Sequence, residues 1–230
     1  MSRPSVLHIS TLDNSGGSGR SAYKIHCGLR DLGYESKMLV RRRITDDPDV
    51  AEIRHCWVRI ADKGASAVNE STGLQYAYLP SSQRLFQHPW YQVADVIQLY
   101  NTHGNYFSIS VLPRMSREKI VVWRLSDMWP MTGHCAYAGG CDRWKTGCGQ
   151  CPDLKTYPSV KWDTTAWLWN RKQQIYDASR IHIVAPSEWI YRFAEQSPLL
   201  TRFSKSIIRN GIDLDVFRPL PGLEARRQLD

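Results

Sequence analysis

The sequence predicts a doubly wound α/β domain built on a parallel sheet. Short apolar runs of strand length recur along the chain, and segments with apolar residues at helical spacing alternate with them. Polar, glycine-bearing loops follow several of the runs. Such βαβ units pack with right-handed crossovers and carry their functional loops at the carboxyl ends of the strands.

The first strand covers 6–10. A polar loop follows, Asp13-Asn14-Ser15-Gly16-Gly17-Ser18-Gly19, and then a helix with Ala22, Ile25, Leu29 and Leu32 on one face, stopped by Gly33. Residues 36–40 form the next strand. From 44 to about 91 the periodicity is poor and Pro48, Pro80 and Pro89 interrupt it, so this stretch reads as an insertion with one helix. A strand resumes at 96–100 and ends in the loop Asn101-Thr102-His103-Gly104-Asn105. A helix over 109–115 and a strand over 120–125 come next, then a cysteine-rich excursion over 128–160. Residues 165–176 are helix and 181–185 strand. Ser187 caps a helix through 194, and a last strand covers 206–209. Asn210-Gly211 is a turn signal. Pro219 and Pro221 mark a linker, and a helix starts at 224. The chain therefore divides into a domain over 1–218 and, over 219–230, a linker with the start of something further.

At 230 residues the chain can bury a sizeable core. No run approaches the roughly 18 to 20 apolar residues of a membrane span. The opening MSRPSVLHIS has no apolar signal region, so a cytoplasmic protein is expected. The net charge of +8 favours anionic partners. The basic residues are dispersed, with Arg41-Arg42-Arg43 the one tight cluster, so nucleic acid is not the expected partner.

The richest stretch is WRLSDMWPMTGHCAYAGGCDRWKTGCGQCP, after the strand at 120–125. Cys135, Cys141, Cys148 and Cys151 are spaced C-x5-C-x6-C-x2-C. The last pair has metal-like spacing, and four sulfurs, with His134 as an alternative ligand, suit a structural zinc. Buried or redox-labile thiols are the other reading. Gly16, Gly17 and Gly19 open a helix, where free N–H groups favour a phosphate; a tight strand-to-helix turn also wants glycine. The fingerprint G-x-G-x-x-G is absent. His103 and Asp127 stand in strand-end loops, as candidate catalytic groups or as structural hydrogen-bonders. Trp123, Trp129, Trp144, Trp162, Trp167 and Trp169 offer faces for sugar rings, although most belong in a core.

Several segments together resemble a known family. VLHISTLDNSGGSGRSAYKIHCGLRDLGYESKMLV is similar to the opening of GT-B-fold glycosyltransferases of family 4, the glycosyl transferases group 1 superfamily. Asn101-Thr102-His103-Gly104-Asn105-Tyr106-Phe107 resembles its N-x-H-G segment. DMWPMTGHC through WKTGCGQCP resembles a signature of its polysaccharide-biosynthesis branch. VAPSEW at 184–189, IRNGID at 208–213 and Phe217-Arg218-Pro219 are similar to segments before its interdomain linker.

The resemblance implies two Rossmann-like halves, of which this chain is the N-terminal, acceptor-binding one. It implies a retaining transfer of a sugar from a nucleotide-sugar to a polysaccharide or lipid-linked acceptor, with no cofactor for the chemistry. Gly16 and Gly17 would face the donor diphosphate, His103 and Asp127 would line the reaction centre, Asn101 and Ser126 would border it, and Asn210 would sit near the hinge. The family commonly has His-Asp where this chain has Ser126-Asp127. The family's E-x7-E segment, part of the donor domain, is absent, so this chain alone is expected to transfer no sugar. The charge suits peripheral association with the inner face of a membrane. Two other readings stay open: a noncatalytic zinc- or nucleic-acid-binding module, and an NADP-dependent reductase using Arg41 to Arg43.

Overall fold

A computed structural model describes residues 3–53, 56–219 and 221–227. Seven parallel strands form one sheet in the order β3-β2-β1-β4-β5-β6-β7. They are β1 (Val6–Leu12), β2 (Ser36–Arg42), β3 (Val50–Glu52), β4 (Val96–Leu99), β5 (Ile120–Arg124), β6 (His182–Ala185) and β7 (Ser204–Ile207). The winding runs outward from β1 to β3, then returns to β4 beside β1 and runs the other way. The doubly wound α/β fold is as the sequence predicts. Its topological switch point lies between β1 and β4, where open α/β sheets bind ligands.

The helices are α1 (Gly16–Asp31), α2 (Cys56–Thr72), α3 (Pro80–Arg84), α4 (Pro89–Val93), α5 (Leu112–Glu118), α6 (Thr165–Asp177), α7 (Glu188–Gln196) and α8 (Gly222–Arg227). Alternation along the strands gives each sheet face its own core. Met38, Val40, Val50 and Tyr100 pack with Ala22 of α1 on one face. Leu7, Ile9, Leu39, Ile97, Leu99, Trp123 and Ile183 belong to the larger core on the other face, which takes in Tyr176 of α6 and Ile190 of α7.

Several sequence expectations need correction. Among its described residues the stretch 44–91 holds an edge strand, the helices α2 and α3, a 3-10 turn at Leu85–Gln87 and the start of α4, not one helix. β3 is too short for periodicity to reveal, and α3 and α4 each start at a proline that reads as a breaker yet fits the first helical turn. Leu32 is the exposed C-cap of α1, and the buried stripe is Gly19, Ala22 and His26. His26 replaces an apolar residue there because its Nδ1 lies 2.8 Å from Ser36 Oγ. The helix expected over 109–115 begins with a 3-10 turn, Ile109–Val111, and continues as α5. The last strand lies at Ser204–Ile207, two residues early, and no turn forms at Asn210-Gly211. The expected helix from 224 begins at Gly222, and its end over 228–229 lies outside the described residues. Ser187 caps α7 as expected, its Oγ accepting from the Ile190 N–H at 3.5 Å.

Candidate functional site

The sheet brings the predicted loops to one edge, above the carboxyl ends of β1, β4 and β5. His103 follows β4 and is 5% exposed. Its Nε2 lies 2.8 Å from Asp127 Oδ2, just beyond β5. The other Asp127 oxygen accepts from the Trp129 N–H at 2.9 Å. The carboxylate thus fixes the imidazole orientation while a backbone donor fixes the carboxylate. The Nδ1 of His103 lies 3.3 Å from the Tyr157 hydroxyl. Burial, and then the charge of Asp127, push the Tyr157 hydroxyl above its ordinary pKa. Together these groups can hold or pass a proton beside a polar ligand.

The glycine loop joins this edge through Ser18, whose Oγ lies 2.9 Å from Ser126 Oγ. Ser15, the N-cap of α1, makes no side-chain capping bond. Gly16 adopts φ +63°, and a Cβ on Gly16 or Gly17 would meet nothing within 4 Å. Both leave room for a ligand to approach the free N–H groups of the first turn. Gly19 differs: it is buried, and a Cβ there would come within 2.8 Å of the Leu12 carbonyl oxygen. Its missing side chain lets α1 pack on β1.

Asn101 is held by its backbone, whose carbonyl accepts from Thr11 Oγ1 at 3.3 Å and from the Tyr106 hydroxyl. Its side-chain Oδ1 is buried without a hydrogen-bond partner, as is Thr102 Oγ1. Buried polar atoms are rarely left so. The Asn210 side chain accepts from buried Arg124, tying the segment after β7 to the end of β5. His103, Asp127, Ser126, Asn101 and the start of α1 therefore share one edge.

The cysteine excursion lies behind this edge. Cys135, Cys141, Cys148 and Cys151 line one small cavity with His134. Cys148 Sγ accepts from the Gly133 N–H at 3.2 Å, and His134 Nε2 is 3.4 Å from Cys151 Sγ. All four are free thiols. Among the described residues, no group of three or more His, Cys, Asp or Glu side chains is placed so as to hold a metal ion. The sulfurs share a cavity without forming a ligand set as they stand. Cys27 is a half-buried free thiol, and the side chain of Cys56 is outside the described set.

Sequence reasoning missed Lys172. It is 2% exposed, and burial pushes its amine down to about 7. Its Nζ donates to the carbonyls of Trp129 (2.6 Å) and Thr132 (2.9 Å) and lies 3.6 Å from the centre of the Trp129 ring. It anchors Trp129, whose backbone holds Asp127. A signal existed: Lys172 lies on the buried stripe of α6 with Thr165, Leu168, Trp169 and Tyr176. Trp123, Trp129, Trp144 and Trp169 are core, whereas Trp162 and Trp167 are exposed.

Outside His103, a groove of about 500 Å³ runs along Tyr157, Tyr76 and Gln75. The Gln75 side chain accepts from Trp129 Nε1 at 2.7 Å and donates to the Pro158 carbonyl at 2.8 Å, joining the groove wall to the edge that carries His103 and Asp127.

No protein-family model matches the chain. A protein of Escherichia coli (strain K12) described as the putative colanic acid biosynthesis glycosyl transferase WcaC is 39% identical over 98 residues. The match covers 41% of this chain and 24% of that protein, so the chain spans about a quarter of the relative's length. Over those residues the chain is similar to a glycosyl transferase.

Proposed function

We propose that this chain is the N-terminal, acceptor-binding half of a retaining GT-B-fold glycosyltransferase that moves a sugar from a nucleotide-sugar to a polysaccharide or lipid-linked acceptor. The His103–Asp127 pair at the switch-point edge is the observation that carries the reading. Asp127 fixes the orientation of the ring, and His103 with Tyr157 offers donors and acceptors to sugar hydroxyls. Asn101 Oδ1 awaits a donor. The free N–H groups at Gly16 and Gly17 suit the donor diphosphate. The similarity to WcaC supports glycosyl transfer in general.

In this reading the donor is held mainly by a second domain. Exposed Ile212, Leu214, Val216 and Phe217, near the proposed linker, are apolar surface that such a domain would cover. Transfer needs donor groups aimed at the developing charge, so this chain alone binds glycan without transferring sugar. The test mixes the chain with radiolabelled nucleotide-sugars and acceptor oligosaccharides and follows label and binding separately. Label in product from this chain alone would sink the half-enzyme reading. Absence of oligosaccharide binding at millimolar concentration, by saturation-transfer NMR, would sink the saccharide reading.

The chain is read as cytoplasmic, with its charge holding it to acidic lipid headgroups at the inner face of a membrane. Among the described residues no helix is long and apolar enough to cross one. Liposomes containing anionic lipid should retain the chain at low salt and release it at high salt; no retention at low salt removes this part.

The four thiols are read as a structural zinc site bracing the excursion, supported by their shared cavity. The reading requires the sulfurs to close on that cavity. Elemental analysis of protein purified without chelator should give one zinc per chain; metal-free protein with all four thiols reactive would discard it.

A further inference from the structure

The groove beside Tyr157 continues past Glu70 and Asn105 into a second depression of about 490 Å³, lined by Arg41, Arg42 and Lys63. Glu70 and Asn105 line both, and a 3.1 Å hydrogen bond from Asn105 Nδ2 to Glu70 Oε1 forms the saddle between them. We propose that this composite groove takes a saccharide bearing an anionic substituent, its ring against Tyr76 and Tyr157 and its carboxylate or phosphate at Arg41. The inference rests on the saccharide reading above and names the acceptor class.

Unneutralised charge is the first argument. Elsewhere around β2 the basic side chains have acids: Arg30 reaches Asp47 at 2.8 Å and Asp49 at 3.0 Å, and Lys37 pairs with Asp49. Among the described residues, Arg41, Arg42 and Lys63 have no acid partner. Two carboxylates, Glu52 and Glu70, also line this depression, bonded to the Arg43 N–H at 3.2 Å and to Asn105, and they are outnumbered by the cations of the composite groove. Lys155 and Lys161 line the tyrosine end as well. A groove with this excess of cations selects for an anion, and guanidinium forks suit carboxylate and phosphate oxygens.

Position is the second argument. Arg41 Nη1 comes within 3.5 Å of where a Cβ of Gly104 would stand, so the guanidinium lies over the loop that carries His103. The charge of Arg41 is felt at the hydroxyls of both Tyr76 and Tyr157. A sugar lying on those tyrosines therefore has His103 on one side and Arg41 on another. An anionic group one bond off the ring is within reach of that arginine.

The test compares three disaccharides that differ only at the terminal residue: glucuronate, glucose 6-phosphate and glucose. Binding to the chain is measured by calorimetry or saturation-transfer NMR in low and moderate salt. At least one anionic ligand should bind about 10-fold tighter than the neutral one, a difference of about 1.4 kcal/mol. The tighter of the two identifies the substituent. Arg41→Gln should abolish the preference and leave neutral binding unchanged, while Arg209→Gln, which removes an equal charge elsewhere, should keep it. Equal affinities, or a preference that survives Arg41→Gln, would overturn the anionic-acceptor inference while leaving the saccharide reading intact. Failure of all three to bind overturns both. Displacement of the anionic disaccharide by stoichiometric single-stranded RNA would assign the groove to nucleic acid instead.

Discussion

Two buried histidines of this molecule differ in where their hydrogen-bond chains end. His8 lies in the middle of β1 and is 0% exposed, with Nδ1 3.0 Å from the Tyr100 hydroxyl and Nε2 3.0 Å from Ser36 Oγ. Burial, with His26 nearby, holds its pKa down to about 3. Both ring nitrogens face partners inside the core, so the group is closed to ligand. His103 is nearly as buried, but one nitrogen faces a carboxylate and the other a tyrosine that is 63% exposed and lines a groove. Burial therefore does not distinguish an inert histidine from a candidate catalyst. What matters is whether the hydrogen-bond chain ends in the core or at a surface open to ligand.

The largest test of this contrast is Asp127→Asn. It removes the charge that orients His103, so, under the function proposed above, sugar transfer by the two-domain protein should fall by about 100- to 10,000-fold, with the melting temperature held within a few degrees. An unchanged rate would reduce the pair to a structural contact. Lys172→Met comes next, because it leaves the Trp129 and Thr132 carbonyls without their donor and removes the cation from the Trp129 ring. We expect a loss of about 3 kcal/mol in urea unfolding. If Lys172 also positions Asp127 through Trp129, turnover should fall while acceptor KM changes little.

His8→Gln should do the reverse of Asp127→Asn: a loss of about 1–3 kcal/mol of stability, with glycan binding unchanged. A binding loss without destabilisation would blur the two classes. The same residue sets a pH dependence. Unfolded His8 takes a proton near 6.5 and folded His8 only near 3. Between these values the unfolded chain binds more proton, so stability falls as pH drops through that window, by up to about 1.4 kcal/mol per unit. Denaturant titrations from pH 7 to 4 should show the slope, reduced in His8→Gln; the remainder falls to His26, whose pKa is also lowered by burial. The smallest effect concerns Gly16, whose φ of +63° disfavours a side chain. Gly16→Ala should cost about 1 kcal/mol, whereas Gly19→Ala, against the Leu12 carbonyl, should cost more.

Much of the frame was readable along the chain. Five of the seven strands show as apolar runs and β7 was expected two residues late, while the helices α1, α6 and α7 show through periodicity or a capping serine. The segments 44–91 and 128–160 were opaque, because their ordering partners lie far away in sequence. Gln75 Nε2 donates to the Pro158 carbonyl and accepts at its Oε1 from Trp129 Nε1, fastening one insertion to the other. No local pattern encodes such a contact.

The sequence by itself determined the winding, since strand-length apolar runs joined by right-handed crossovers leave few topologies. It also placed His103, Asp127 and the glycine loop at strand ends. Only the tertiary structure decided that His103 and Asp127 touch, that Lys172 stands beneath Trp129, and that Gly19 serves packing while Gly16 and Gly17 stay open. It also decided that Arg41 lies over the loop that carries His103. Periodicity records which side of its own element a residue faces. Distances between elements depend on how the sheet twists and the layers pack, and those arise only when the whole core closes.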